Sequence, residues 1–307
     1  ARSSAADTSS IFLTDALLRL SSYDPPPLQP LSNVLEAFAT RHQEMFESKW
    51  INLVCNCLEK DKKLPYGPRC IGFLFAFVDT SNEDVKNLLI NILIDDLKST
   101  DAKMRWNAAA AFSNAFMYNA KSIEAISILT DYMDSDKVAK VKIRSAEALS
   151  NISSRETTND LYHRIFIVAL EQLLAPDHFT NLPLAAHRKY DDAYRSSLTK
   201  LFFKLLDWSK ASDFTALEEP LVNNVDAIYQ LMVDFEENKN LEEQGNDNNN
   251  NSSISKDDDD DDFKTNTEND ENDNIQVPWV KITKLYEARF NSISSKMLEK
   301  FQDKAFP

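Results

Sequence analysis

The sequence predicts an all-α fold: a solenoid of about five stacked helix pairs, then an acidic insertion and a last amphipathic helix. Three observations predict it. Residues 102–115, Ala-Lys-Met-Arg-Trp-Asn-Ala-Ala-Ala-Ala-Phe-Ser-Asn-Ala, are echoed thirty-seven positions later at 139–152, and six of the fourteen aligned pairs are identical. The identical pairs are Ala102/Ala139, Lys103/Lys140, Ala109/Ala146, Ala111/Ala148, Ser113/Ser150 and Asn114/Asn151. A period of this size is that of stacked helical units. Composition agrees, since 43% of the 307 residues are apolar but only three are glycine and eleven proline, which suits helices joined by short turns. Apolar residues also recur three and four apart along most of the chain.

The elements follow in order. Leu13, Ala16, Leu17 and Leu20 give one apolar face to a first helix, closed by Asp24-Pro25-Pro26-Pro27. Helix pairs are predicted at 31–41 with 44–60, 67–79 with 83–98, 101–119 with 121–134, 138–153 with 158–175, and 187–208 with 214–235. Thr80 and Glu83 have the spacing of a capping box at the start of the 83–98 helix. In the fifth pair Leu198, Leu201, Phe202, Leu205 and Leu206 share a face, as do Val222, Val225, Ile228, Leu231 and Met232. The solenoid thus covers 1–236, an Asn/Asp-rich acidic linker 237–275, and a C-terminal amphipathic helix 276–307. In that helix Trp279, Ile282, Tyr286, Phe290, Ile293, Met297 and Phe301 form a stripe that caps the last repeat or meets a partner. The first residue is Ala and not Met, so the chain reads as a fragment or a processed product.

The stretches Lys103-Met104-Arg105-Trp106-Asn107-Ala108-Ala109 and Val141-Lys142-Ile143-Arg144-Ser145-Ala146-Glu147-Ala148-Leu149 resemble repeats of the HEAT/armadillo family. The likeness is strong over 101–153 and extends weakly over 31–235. It implies an α-solenoid used as a protein-binding scaffold, and it carries over no catalytic residue. In such a stack the alanines and Ser145 let helices approach closely, while Phe112 and Leu149 fill the space between layers. Arg105 and Lys142 either pair with an acid of the neighbouring repeat (Asp101, Asp134 or Asp136) or contact a ligand. With the usual handedness, the second helix of each pair lines the concave face.

Charge is concentrated in one place. Between Glu236 and Ile275 stand fifteen acids and three lysines, net −12 of the chain's −15, including the run Asp257 to Asp262. Such a tract cannot bury enough apolar area to offset about 1–2 kcal/mol per residue of ordering entropy, so disorder is expected. It reads as a solvated spacer, a docking tail for a basic protein, or a mimic competing for the basic residues at 137–144. Those residues, Lys137, Lys140, Lys142 and Arg144, together with Arg105, are the candidate partner-binding set.

No enzyme motif stands out. His42, His163, His178 and His187 are scattered, and no Gly-rich phosphate loop is present. The acid pairs Asp95-Asp96 and Asp191-Asp192 read as solvated surface. Cys55, Cys57 and Cys70 form no disulfide or zinc framework, which argues for a reducing compartment, cytoplasm or nucleus. No cofactor, metal or membrane insertion is expected. The expected function is a non-enzymatic scaffold or adaptor holding a protein partner, a basic one if the acidic segment takes part. The alternatives are a transport adaptor carrying basic cargo and a nucleic-acid-associated protein; the small basic clusters and the acidic tract disfavour the latter.

Overall fold

The computed structural model describes residues 2–20, 23, 26–60, 66–79, 82–152, 158–209, 213 and 216–234. The linker at 237–275, the helix at 276–307 and Thr80 of the proposed capping box lie outside the described residues. Every regular element among the described residues is helical. The chain divides into two compact units, one of Ala1–Thr158 and Asp177–Leu201, the other of Asn159–Pro176 and Phe202–Pro307.

The first unit begins with α1 (Arg2–Leu20), which buries Leu13 and Leu17 as its apolar spacing requires. The helix α2 (Ser32–Arg41) follows, and α3 (Gln43–Met45) runs through a π turn (Phe46–Ile51) into α4 (Asn52–Lys60). Rings of Phe38, Phe46 and Trp50 pack edge-on or tilted with centroids 5.1–6.0 Å apart. Trp50 Nε1 donates to Ser10 O of α1 at 3.1 Å, which gives the buried indole the partner it needs.

Next come α5 (Gly67–Leu74), α6 (Glu83–Leu97), α7 (Ala102–Met117), α8 (Ile123–Ser135) and α9 (Ala139–Ser150). The two echoed stretches are α7 and α9, and they pack side by side; α5 packs on the other flank of α7. The register repeats across both interfaces. Arg69 Nε donates to Asn107 Oδ1, and Asn151 Nδ2 donates to Ser113 Oγ, each pair thirty-eight positions apart. Small residues make this closeness possible. A Cβ on Gly72 would stand 2.7 Å from Ala111 Cα, so only glycine fits there. Ala108, Ala109, Ala111, Ala146 and Ala148 are buried, and Phe112 and Leu149 fill the core at 0% exposure.

The start of α6 differs from the expected box. The helix begins at Glu83, so the capping position falls on Asn82, whose side chain accepts from Val85 N. A tyrosine hydroxyl supplies the partner that a helix C-terminal carbonyl lacks in two places of this unit. Tyr132 donates to Leu97 O and Tyr194 to Met133 O.

In the second unit, α10 (Asn159–Leu174) packs Phe166 against Phe202, centroids 5.2 Å apart, and the Tyr162 hydroxyl donates to Leu205 O. Phe202 and Leu205 lie on α11 (Leu184–Trp208), in which Leu198, Leu201, Phe202, Leu205 and Leu206 are all buried. The helix expected at 214–235 is interrupted. Among the described residues Ala216 is helical, α12 (Glu218–Asn223) follows a turn at Leu217, and a helical stretch at 225–234 follows a turn at Asn224. Pro220 lies in the first turn of α12, where its missing N–H leaves no helical hydrogen bond unmade.

Candidate functional site

The candidate residues lie around the starts of α7 and α9. Acidic side chains set up both starts. Asp101 caps α7 by accepting from Lys103 N at 2.9 Å, and Asp136 Oδ1 accepts from Val138 N, just before α9, at 2.8 Å. Arg105 joins the two. Its Nε lies 3.1 Å from Asp136 Oδ2, and Nη1 donates to Ser99 O at 3.1 Å and Thr100 O at 3.0 Å. The two side chains are only 16% and 6% exposed. Arg105 therefore makes the pairing expected of a repeat arginine, with Asp136 and not Asp101.

Lys140 and Lys142 are two positions apart, which places them on nearly opposite sides of α9. Lys140 Nζ stands 5.0 Å over the Trp106 ring of α7, and Lys142 Nζ stands 5.9 Å from the Tyr194 ring of α11. Burial holds the Lys142 ammonium below its ordinary pKa of 10.5, and Asp134 and Asp136 pull it part of the way back. Burial, and then the Asp134 charge, push the Tyr194 phenol far above 10. Arg144 pairs with Glu147 of its own helix at 2.6 Å. Lys137 is exposed.

The five candidates thus divide. Arg105 and Arg144 are held in ion pairs, Lys140 and Lys142 rest on rings of different neighbours, and Lys137 faces water. Two residues join them. Lys103 is exposed, with Nζ 5.8 Å over the Tyr66 ring and 3.4 Å from its hydroxyl, and Trp106 is half-buried beneath Lys140. The identity of Lys103 and Lys140 in the echo was the available signal for the first. The aromatic partners depend on contacts between helices, which spacing along the chain does not report.

Two other polar groupings stand apart. Glu47, buried at 6% exposure on the π turn, accepts from Asp79 N at 2.6 Å and from the side-chain amides of Gln43 and Asn82. With Asp79, Asn82, Glu83 and Asp84 it lines an open cavity of about 380 Å³. In the second unit His163 Nε2 lies 2.9 Å from Asp213 Oδ1, a carboxylate that is 1% exposed. The sequence reading of Asp191 as solvated is corrected. Asp191 pairs with Arg195 at 2.7 Å and accepts from His178 N at 3.3 Å, because the segment before α11 folds back along that helix. Among the described residues no group of three His, Cys, Asp or Glu is placed to hold a metal. No helix among them is long and apolar enough to cross a membrane.

No family model and no solved structure matches this chain.

Proposed function

We propose that this chain is a non-enzymatic protein-binding scaffold, an α-solenoid of the HEAT/armadillo type that holds a partner protein on its helix surface. One observation carries the reading: α5, α7 and α9 pack in succession with a repeated thirty-eight-position register. Helices related in this way leave a continuous outer surface on which an extended or helical segment can lie. The polar groups near α7 and α9 are engaged in pairs and stacks that build the layers, which fits a surface for holding better than a centre for chemistry.

Affinity purification of the chain with and without 237–275, at low and at moderate salt, tests this. A discrete protein partner, retained at moderate salt and kept when the acidic segment is deleted, is the expected result. Retention only at low salt, and only with 237–275 present, would favour a transport adaptor carrying basic cargo through charge. The acidic cavity around Glu47 is the observation that favours that second reading. No protein retained under any of the four conditions overturns both.

A further inference from the structure

We propose that the connection 177–183 is a strained clasp, closed on α11 by two aromatic rings and a hydrogen bond, which opens as a unit while α11 stays helical. The proposal stands apart from the scaffold reading. It concerns how the chain passes between its two compact units, whose boundary falls between Pro176 and Asp177.

Phe179 carries the inference. Among the described residues two that are not glycine have positive φ, Asn119 at 59° and Phe179 at 51°. Asparagine accepts this left-handed backbone readily, and Asn119 stands just past the end of α7, where helices commonly use it. A bulky aromatic residue in the same conformation is disfavoured, so its surroundings must hold it there. The Phe179 ring packs on Tyr194 of α11 with centroids 5.5 Å apart, and the His178 ring meets the same tyrosine edge-on at 4.9 Å. His178, 7% exposed, donates its backbone N–H to Asp191 Oδ1 at 3.3 Å, and Arg195 anchors that carboxylate at 2.7 Å. The Leu182 N–H donates back to Phe179 O at 2.9 Å and closes the turn.

The sequence shows why the strain falls here. In the second unit α10 and α11 run antiparallel, Tyr162 bonding to Leu205 and Phe166 meeting Phe202, so the chain reverses in the short connection between them. Pro176 and Pro183 bracket that reversal, each with a fixed φ and no N–H to give. Leu182, which precedes Pro183, is biased towards extended backbone. The change of direction is left to the residues between, and Phe179 takes the left-handed step. Docking and strain then oppose each other. The rings and the Asp191 contact hold the clasp shut, and the left-handed residue makes letting go easier, since Phe179 returns to negative φ once the rings lift. Opening frees the seven residues 177–183, up to about 25 Å of extended chain. A few connection residues that absorb a large change in φ are what hinges are made of.

Amide hydrogen exchange of the full chain, resolved to single residues and corrected for intrinsic rates, tests this. In the parent protein the His178 and Leu182 amides should share one opening equilibrium and exchange roughly tenfold or more faster than the Leu198 and Leu201 amides of α11. Two substitutions separate strain from ring packing, since both remove the ring. Phe179→Asn accepts the left-handed backbone, and Phe179→Val, being β-branched, does not. The His178 and Leu182 amides should exchange about tenfold slower in the Asn variant than in the Val variant, with Leu198 and Leu201 alike in the two. If valine unfolds the whole chain, Phe179→Gly against Phe179→Ala makes the same comparison, with glycine exchanging more slowly despite its greater freedom when unfolded. Equal exchange in the Asn and Val variants would remove strain from the account and overturn the proposal. So would different opening equilibria for His178 and Leu182, or exchange of both in step with α11, because no separate clasp would then exist.

Discussion

Arg105, in the first turn of α7, reaches Asp136 in the connection that leads into α9, with Nε and Oδ2 3.1 Å apart. This contact ties the start of α7 to the connection that leads into α9. It is largely out of water and is reinforced by two backbone carbonyls, so it behaves as a buried pair and not as a surface one.

Arg105→Ala is therefore expected to cost about 3 kcal/mol, since it leaves a buried carboxylate and two carbonyls without their donor. Arg105→Lys should recover only part, because a single ammonium cannot reproduce the planar fork. Urea unfolding at neutral pH measures both. A loss below about 1 kcal/mol for the alanine variant would place the pair in the surface class.

Gly72→Ala pits two effects against each other. Helix propensity favours alanine by about 1 kcal/mol. Against it, the new Cβ would meet Ala111 Cα at 2.7 Å and Ala111 O at 2.9 Å, and both are backbone atoms that cannot swing away. Overpacking of this kind costs about 1–3 kcal/mol, so a net loss is expected. Adding Ala111→Gly removes only the side-chain clash at 2.8 Å and should rescue the melting temperature in part.

Asn82 does two things at once. It caps α6 through Val85 N, and its amide donates to buried Glu47. Asn82→Ala should cost about 2–3 kcal/mol: about 1 for the cap and the rest for the carboxylate deprived of a donor. Asn82→Ser can restore the cap but does not reach Glu47 with an amide, so its stability should fall between the two. Thermal unfolding of the three proteins orders them.

Lys142 predicts a pH dependence. Its folded pKa lies below 10.5, so in the window between the folded and unfolded values the unfolded chain binds more protons, and stability rises with pH there. Lys142→Met removes this penalty and should melt higher than the parent at neutral pH, with the gap closing as pH approaches 10.5. Tyr194 acts in the opposite sense. Its folded pKa is raised, so the folded state keeps a proton that the unfolded state releases, and stability falls above about pH 10. Since both proteins retain Tyr194, the difference between their melting curves isolates the lysine. A gap that widens with pH would contradict this account.

Much of the helical pattern was legible because it is local. The apolar spacing of α6, the alanines of α7 and the leucines of α11 mark buried faces whatever they pack against. The thirty-seven-residue echo placed α7 and α9 as related units, and their side-by-side packing follows from it. The cap of α6 was misassigned because Thr80-Ser81-Asn82 offers three good capping residues in a row, and only the backbone conformation at Asn82 decides among them. The basic set was legible as a composition but not as a place. Lys140 and Lys142 are near in sequence and turned to different neighbours, and Asp191 looked solvated until Arg195 and His178 closed on it. Partners contributed across a fold leave no trace in spacing along the chain.

The Tyr194 hydroxyl bonded to Met133 O has a consequence for biosynthesis. The first unit is discontinuous: its chain leaves at Thr158 and returns only at Asp177. A ribosome adding about 5–20 residues per second takes on the order of 3–12 seconds to pass from Met133 to Tyr194. Throughout that interval the end of α8 waits with its carbonyl unclaimed, while the intervening α10 emerges and belongs elsewhere. A nascent chain stalled before Tyr194 would thus expose an unfinished flank to chaperones, and release of that protection should coincide with the emergence of α11.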